Sequence, residues 1–157
     1  MVVSRLVPQT ADTIREVRRI VEGLQPSVLD DFGLVPALQI LAADTTEASG
    51  INVTVRADDR VDDLPPHVGA SVYRVVAEGL SNVVRHSRGS ACAIELGLDD
   101  DGAVCVAIRD DGCGFDPASP TGMGLRSIGE RARAAGGDVS ITSAAGAGTT
   151  VAVRLLA

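Results

Sequence analysis

The stretch "RDDGCGF", residues 109–115, closes the alternating apolar run "AVCVAIR" and sets two carboxylates against two glycines. Asp and Gly are ordinary turn residues, and Gly takes positive φ at no steric cost, so a plain turn is the simplest reading. Position suggests a second one. A carboxylate that ends a strand with an apolar face has a dry floor beneath it and can accept a hydrogen bond from a ligand amine. Gly112 and Gly114 would then let the backbone approach a flat ring closely.

The flanking patterns are those of a sheet with helices. "ACAIELGL" (91–98) and "AVCVAIR" (103–109) alternate with period two and are joined by "DDDG", whose Asp101-Gly102 is a hairpin signal. "INVTVR" (51–56) reads as another half-buried strand, and "DVSIT" and "TTVAVRLL" as a last pair around "SAAGAG". Between His67 and His86, the residues Val68, Val72, Val75, Val76, Leu80 and Val83 fall on one arc at helical spacing. Residues 34–49, ending at Gly50, and "RSIGERARAAGG", ending at paired glycines, continue the helical count. These elements predict an α+β fold: a two-layer sandwich with a mixed, mainly antiparallel sheet and helices on one face.

Ahead of this domain, Ile14, Val17, Val21 and Leu24 recur among Arg and Glu as the stripe of an amphipathic helix whose partner face is missing locally. "QPSVLDDFG" (25–33) breaks the pattern with Pro26 and Gly33. The expected organisation is a helical arm and hinge over 1–32 and a main domain over 33–157.

Composition removes several classes. At 157 residues the chain can bury about 70% of the surface its unfolded form exposes, enough for a core. A net charge of −7 disfavours a nucleic-acid backbone, which needs a basic stripe. All basic residues are Arg, so the phosphate loop that depends on Lys is absent. Cys92, Cys105 and Cys113 are odd in number and lack metal-ligand spacing, as expected of a cytosolic chain. The longest nearly apolar stretch, "GLVPALQILAA", is far short of the roughly 20 residues that span a bilayer, and no secretion signal opens the chain. The acidic runs "DDRVDD" and "DDD" lack calcium-loop spacing and read as solvated loops.

Four short pieces bear on chemistry: "EGLSN" (78–82), "DDGCG" (110–114), "GMGL" (122–125) and "GTT" (148–150). Glu78 and Asn82 are one helical turn apart on the margin of the apolar arc. Asn offers a neutral oxygen suited to Mg²⁺ shared with phosphates, and Glu can orient a nucleophile or accept its proton. Gly122 and Gly124 immediately precede a helix, whose free amides favour an anion such as triphosphate.

In order, spacing and placement, these pieces resemble the ATP-binding domain shared by gyrase, MutL and histidine kinases, the Bergerat or GHKL fold. The chain looks most like the catalytic domain of sensor histidine kinases paired with regulators similar to the nitrate regulator. "LQPSVLDDFGLVPAL", "VVAEGLSNVVRHS", "RDDGCGF" and "GMGLRSIGERARAAGGDVSITSAAGAGTTVAVRL" carry the likeness, which covers residues 10–157. The resemblance implies that Asn82 holds Mg²⁺, Glu78 lies beside the γ-phosphate, Arg85 or His86 approaches phosphate, and Asp110 accepts from the adenine amine. It further implies that Gly112, Gly114, Gly122 and Gly124 frame a short lid, with Leu125 in the ATP site and Thr149 supporting Asp110.

By the same likeness the partners are ATP, a histidine-containing dimerisation domain of the parent kinase and a downstream response regulator, with no nucleic acid and no direct membrane contact. The location is cytoplasmic, with a membrane anchor open to the parent. The striped arm resembles the end of the second dimerisation helix, and the helix bearing the phosphoacceptor is not in the sequence. Neither His67 nor His86 has the acidic neighbour that precedes such an acceptor. Autophosphorylation by this chain alone is therefore not expected. Two alternatives remain: a free-standing serine kinase of the anti-sigma type, or a module that binds nucleotide without turnover. Cys113, between lid glycines, has no basic group beside it to lower its pKa, which argues against a redox switch.

Overall fold

Period-two alternation decides which face of each strand is buried. In the computed structural model, which describes residues 27–119 and 122–157, strands β1 (Asn52–Ala57), β2 (Ala91–Leu98), β3 (Val104–Asp110), β4 (Asp138–Ser143) and β5 (Thr149–Leu155) form one sheet. Its order is β1-β2-β3-β5-β4. β1 and β2 are parallel, and the other neighbours are antiparallel. Cys92, Ile94 and Leu96, Val104, Val106 and Ile108, and Val151, Val153 and Leu155 are buried on one face. Register aligns them in rows such as Ile94, Ile108 and Val151. The opposite face carries small or polar side chains, among them Cys105, Ala152 and the pair Arg109 and Glu95 at 3.6 Å.

The α-helices of the described residues are α1 (Ser27–Phe32), α2 (Leu34–Ser49), α3 (Pro66–Asn82) and α4 (Met123–Ala134), and the acidic run read as a solvated loop forms a 3-10 turn, Asp59–Asp63, that buries Val61. Pro66 opens α3 at a position where a missing N–H costs nothing. Val68, Val72, Val75, Val76 and Leu80 of its apolar arc are buried, together with Leu38 of α2 and Ile128 of α4. With the apolar sheet face they form a single core. These features match the α+β sandwich expected from the sequence.

Two local differences stand out. The stretch read as a hinge is helical over Ser27–Phe32, with Leu29 against the core and its carbonyl accepting from Gly33 N–H at 3.0 Å. Gly33 follows the last residue of this short helix. The striped arm at 13–24 lies outside the described residues. Second, the helix expected over 67–86 changes character: α3 gives way after Asn82 to a π turn, Val83–Ser87.

The two aspartates of "RDDGCGF" part company. Asp111 accepts from Ser90 N at 2.8 Å, Ser90 Oγ at 2.8 Å and Ala91 N at 2.9 Å, which pins the end of β3 to the start of β2. Hydrogen bonds from the Ala91 and Ser90 amides and the Ser90 hydroxyl hold its carboxyl below the usual carboxylate range. A lowered folded value contributes stability above an ordinary carboxylate pKa of about 4, and that contribution fades as pH falls through the folded value. Asp111→Asn is therefore expected to lower the melting temperature at pH 6, with the gap from the parent narrowing as pH falls below about 4.

Burial, reinforced by the charges of Asp110 and Asp111, pushes the Cys92 thiol up to about 12. Cys105 and Cys113 are exposed. Titration with a disulfide reagent should find two accessible thiols in the native protein and the third only after denaturant, since burial shields Cys92 and keeps it protonated. Three accessible thiols would contradict this packing.

Candidate functional site

A cavity of about 400 Å³ opens where α3, the π turn, the ends of β3 and β5, and the start of α4 converge. That size falls in the range of small-molecule pockets. Val83, Ile108, Leu125 and Val151 give it apolar lining. Asp110 and Thr149 lie on its strand side, and Asn82, Arg85 and His86 on its helix side.

On the strand side, Asp110 ends β3 directly opposite Thr149, the first residue of β5. Asp110 Oδ1 accepts from Gly112 N–H at 2.8 Å, which fixes the carboxylate while leaving acceptor capacity on both oxygens. The turn that makes this bond depends on glycine. A Cβ on Gly112 would sit 2.6 Å from Ser87 Cβ and closer still to the Ser87 carbonyl. Gly114, at φ +61°, packs against Ala144 and Gly148.

On the helix side, Glu78 and Asn82 share one face of α3, and the first turn of α4 rests on both. A Cβ on Gly124 would stand 2.6 Å from Glu78 Oε1 and 2.8 Å from Asn82 Nδ2. Asn82 Nδ2 is out of contact with solvent and has no hydrogen-bond partner. A buried polar group left unmade costs about 1–3 kcal/mol, so the fold alone does not account for this carboxamide. Arg85 lies back along α3, its Nη2 2.7 Å from Ser81 Oγ and 3.6 Å from Glu78 Oε1.

Of the residues singled out in the sequence, Asn82, Arg85, His86, Asp110, Gly114, Gly122, Gly124, Leu125 and Thr149 line this one cavity. Glu78 stands behind it, paired with Arg85 and touching the Gly124 backbone. Gly112 does not line it. Its missing side chain makes room for Ser87 of the π turn. Gly124 does not precede α4 but lies within its first turn, after the cap residue Gly122. Ile108, Phe115, Met123 and Val151 also line the cavity and were not anticipated. As apolar positions they carried no signal separating pocket from core. Ser143, hidden in "SAAGAG", was missed because only cross-strand register brings it beside Thr149.

Comparison with known proteins agrees with this geometry. Residues 67–157 match the family model described as histidine kinase-, DNA gyrase B-, and HSP90-like ATPase. The chain is 34% identical to the sensor histidine kinase MctS of Rhizobium johnstonii over 99% of its own length and 34% of that protein. It is 35% identical to the sensor histidine kinase NarS of Mycobacterium tuberculosis, over 98% of this chain and 36% of NarS. The chain thus spans about a third of the length of these curated relatives. Among solved structures, the histidine kinase AdeS of Acinetobacter baumannii superposes with a TM-score of 0.66 at 12% identity, over 96% of this chain and 83% of AdeS. That likeness speaks for the fold. Taken with the sequence relatives, the match over 67–157 shows that the chain belongs to the family of histidine kinase-, DNA gyrase B- and HSP90-like ATPases, of the kind carried by sensor histidine kinases.

Proposed function

We propose that this chain is the ATP-binding catalytic domain of a two-component sensor kinase, which binds ATP with Mg²⁺ and passes the γ-phosphoryl group to a histidine on a separate dimerisation domain. The observation that carries the reading is that Asp110 and Asn82, brought from β3 and α3, line the same cavity. In this reading residues 33–157 form the nucleotide-binding unit, and 1–32 lead to the dimerisation domain. A response regulator would receive the phosphoryl group downstream. Among the described residues no helix is long and apolar enough to cross a membrane, and we place the domain's work in the cytoplasm.

Asp110 would accept from the exocyclic amine of adenine while Ile108 and Val151 keep water from the ring. The amides at the start of α4, whose cap Gly122 offers no side-chain bond, are suited to phosphate oxygens. Arg85 and His86 add donors on the same side. Among the described residues no group of three His, Cys, Asp or Glu could hold a metal. The donors present, the Asn82 carboxamide with Glu78 behind it, fit an ion that takes one or two protein oxygens and completes its shell with phosphate and water. Mg²⁺ held this way would neutralise charge on the phosphates. Glu78 is suited to orient the incoming imidazole or take its proton. The imidazole nitrogen bonds to γ-phosphorus as the bond to the β–γ bridging oxygen breaks, and ADP leaves.

The test mixes the chain with labelled ATP, Mg²⁺ and a separately made dimerisation domain. Asn82→Ala should cut labelling by about 100-fold or more, in line with loss of a preorganised electrostatic group. Labelling unchanged by that substitution would overturn the reading. Asp110→Asn should weaken ATP by about 10- to 100-fold, as expected for a charge-assisted hydrogen bond, and leave inorganic triphosphate nearly unaffected in calorimetry. Gly124→Val, which drives a side chain into Glu78 and Asn82, should abolish binding of ATP with Mg²⁺ while circular dichroism stays that of the parent.

A further inference from the structure

Ser143, Thr149 and Asp110 occupy one cross-strand row over β4, β5 and β3. Ser143 is 8% exposed, and its hydroxyl meets three groups: Phe115 N at 2.9 Å, Gly148 O at 3.0 Å and Thr149 Oγ1 at 2.9 Å. A serine hydroxyl has one proton and two lone pairs. A carbonyl can only accept, so the proton goes to Gly148. An amide N–H can only donate, so one lone pair serves Phe115. The remaining lone pair is left for Thr149, whose own proton must then point at Ser143.

This assignment controls what the cavity offers a ligand. With its proton committed to Ser143, Thr149 Oγ1 has only lone pairs to present to the cavity it lines. The neighbouring Asp110 carboxylate is likewise an acceptor. A base edge with an amino group finds two acceptors there. An edge with a carbonyl at the same place sets lone pairs against lone pairs, and a site built for a donor rejects the analogue that lacks it.

We infer that Ser143 is a positioning residue that sets the base preference of this cavity, by holding Thr149 as an acceptor and thereby favouring an amino-bearing purine over its carbonyl counterpart. The inference rests on the nucleotide reading above and adds a determinant to it. Ser143 touches no ligand in this account; it acts through Thr149. Through Phe115 N it also ties the base side of the cavity to the start of the segment that leads to α4.

The test compares ATP with inosine triphosphate, which carries a carbonyl where adenine has its amine, by calorimetric titration of the full chain. The parent should prefer ATP. Ser143→Ala frees the Thr149 hydroxyl to turn and donate, so ATP should weaken, inosine triphosphate should hold or tighten, and the preference should shrink by about tenfold. Ser143→Thr, which keeps the hydroxyl, should restore it. An equal loss for both nucleotides in Ser143→Ala would mark Ser143 as merely structural and overturn the inference. If Ser143→Ala does not fold, Thr149→Val carries the test: it removes the acceptor and should also shrink the preference, and an unchanged ratio overturns the inference. A parent chain that binds both nucleotides equally overturns this inference alone, whereas one that binds neither overturns the nucleotide reading with it.

Discussion

The approach of α3 to β3 sets the depth of everything else. At Gly79 the helix comes so near the sheet that a Cβ would run into the end of the Ile108 side chain, which is itself buried. The apolar arc of α3 holds this position through Val72, Val75, Val76 and Leu80, each nearly or wholly removed from water. Burying one such side chain is worth about 1.5–3 kcal/mol, so the arc binds the helix to the sheet far more strongly than any polar contact at its end. Because the helix is that close, Asn82, one turn beyond Gly79, reaches the cavity that Asp110 also lines.

The π turn after Asn82 uses the same closeness differently. An α-helix turns about 100° per residue and cannot turn several consecutive residues toward one side. Over Val83–Ser87 the backbone widens, and Val83, Arg85, His86 and Ser87 all line the cavity. Single π turns inside helices recur at functional sites. The turn is held from outside by the loop after β3, where Cys113 N donates to Ser87 O at 2.6 Å and Gly112 lies flat against Ser87. Helix end and strand end are thereby locked to each other.

Most of the architecture was legible because its signals are periodic. Alternation marked all five strands, and the valine-rich arc marked α3, down to the residues that are buried. The polar cavity residues were legible because the order and spacing of their four short pieces resemble a known ATP-binding domain; taken singly, Asp and Gly read as turn residues. Three things were not. The π turn has no signature in a sequence that reads as continuous helix. The short α1 was hidden because Pro26 and Gly33 read in the sequence as breaks. Ser143 depends on a pairing between strands, and composition says nothing of which serine will stand beside which threonine.

Neighbouring aspartates at 110 and 111 divide their labour in a way that bears on ligand thermodynamics. Asp111 is tied to Ser90 and Ala91, and Asp110 to Gly112, so the chain around the acceptor has given up its freedom before any ligand arrives. Ordering a backbone residue costs about 1–2 kcal/mol, and here that cost is met at folding rather than at association. Binding to this side of the cavity should accordingly carry little entropic penalty from the protein.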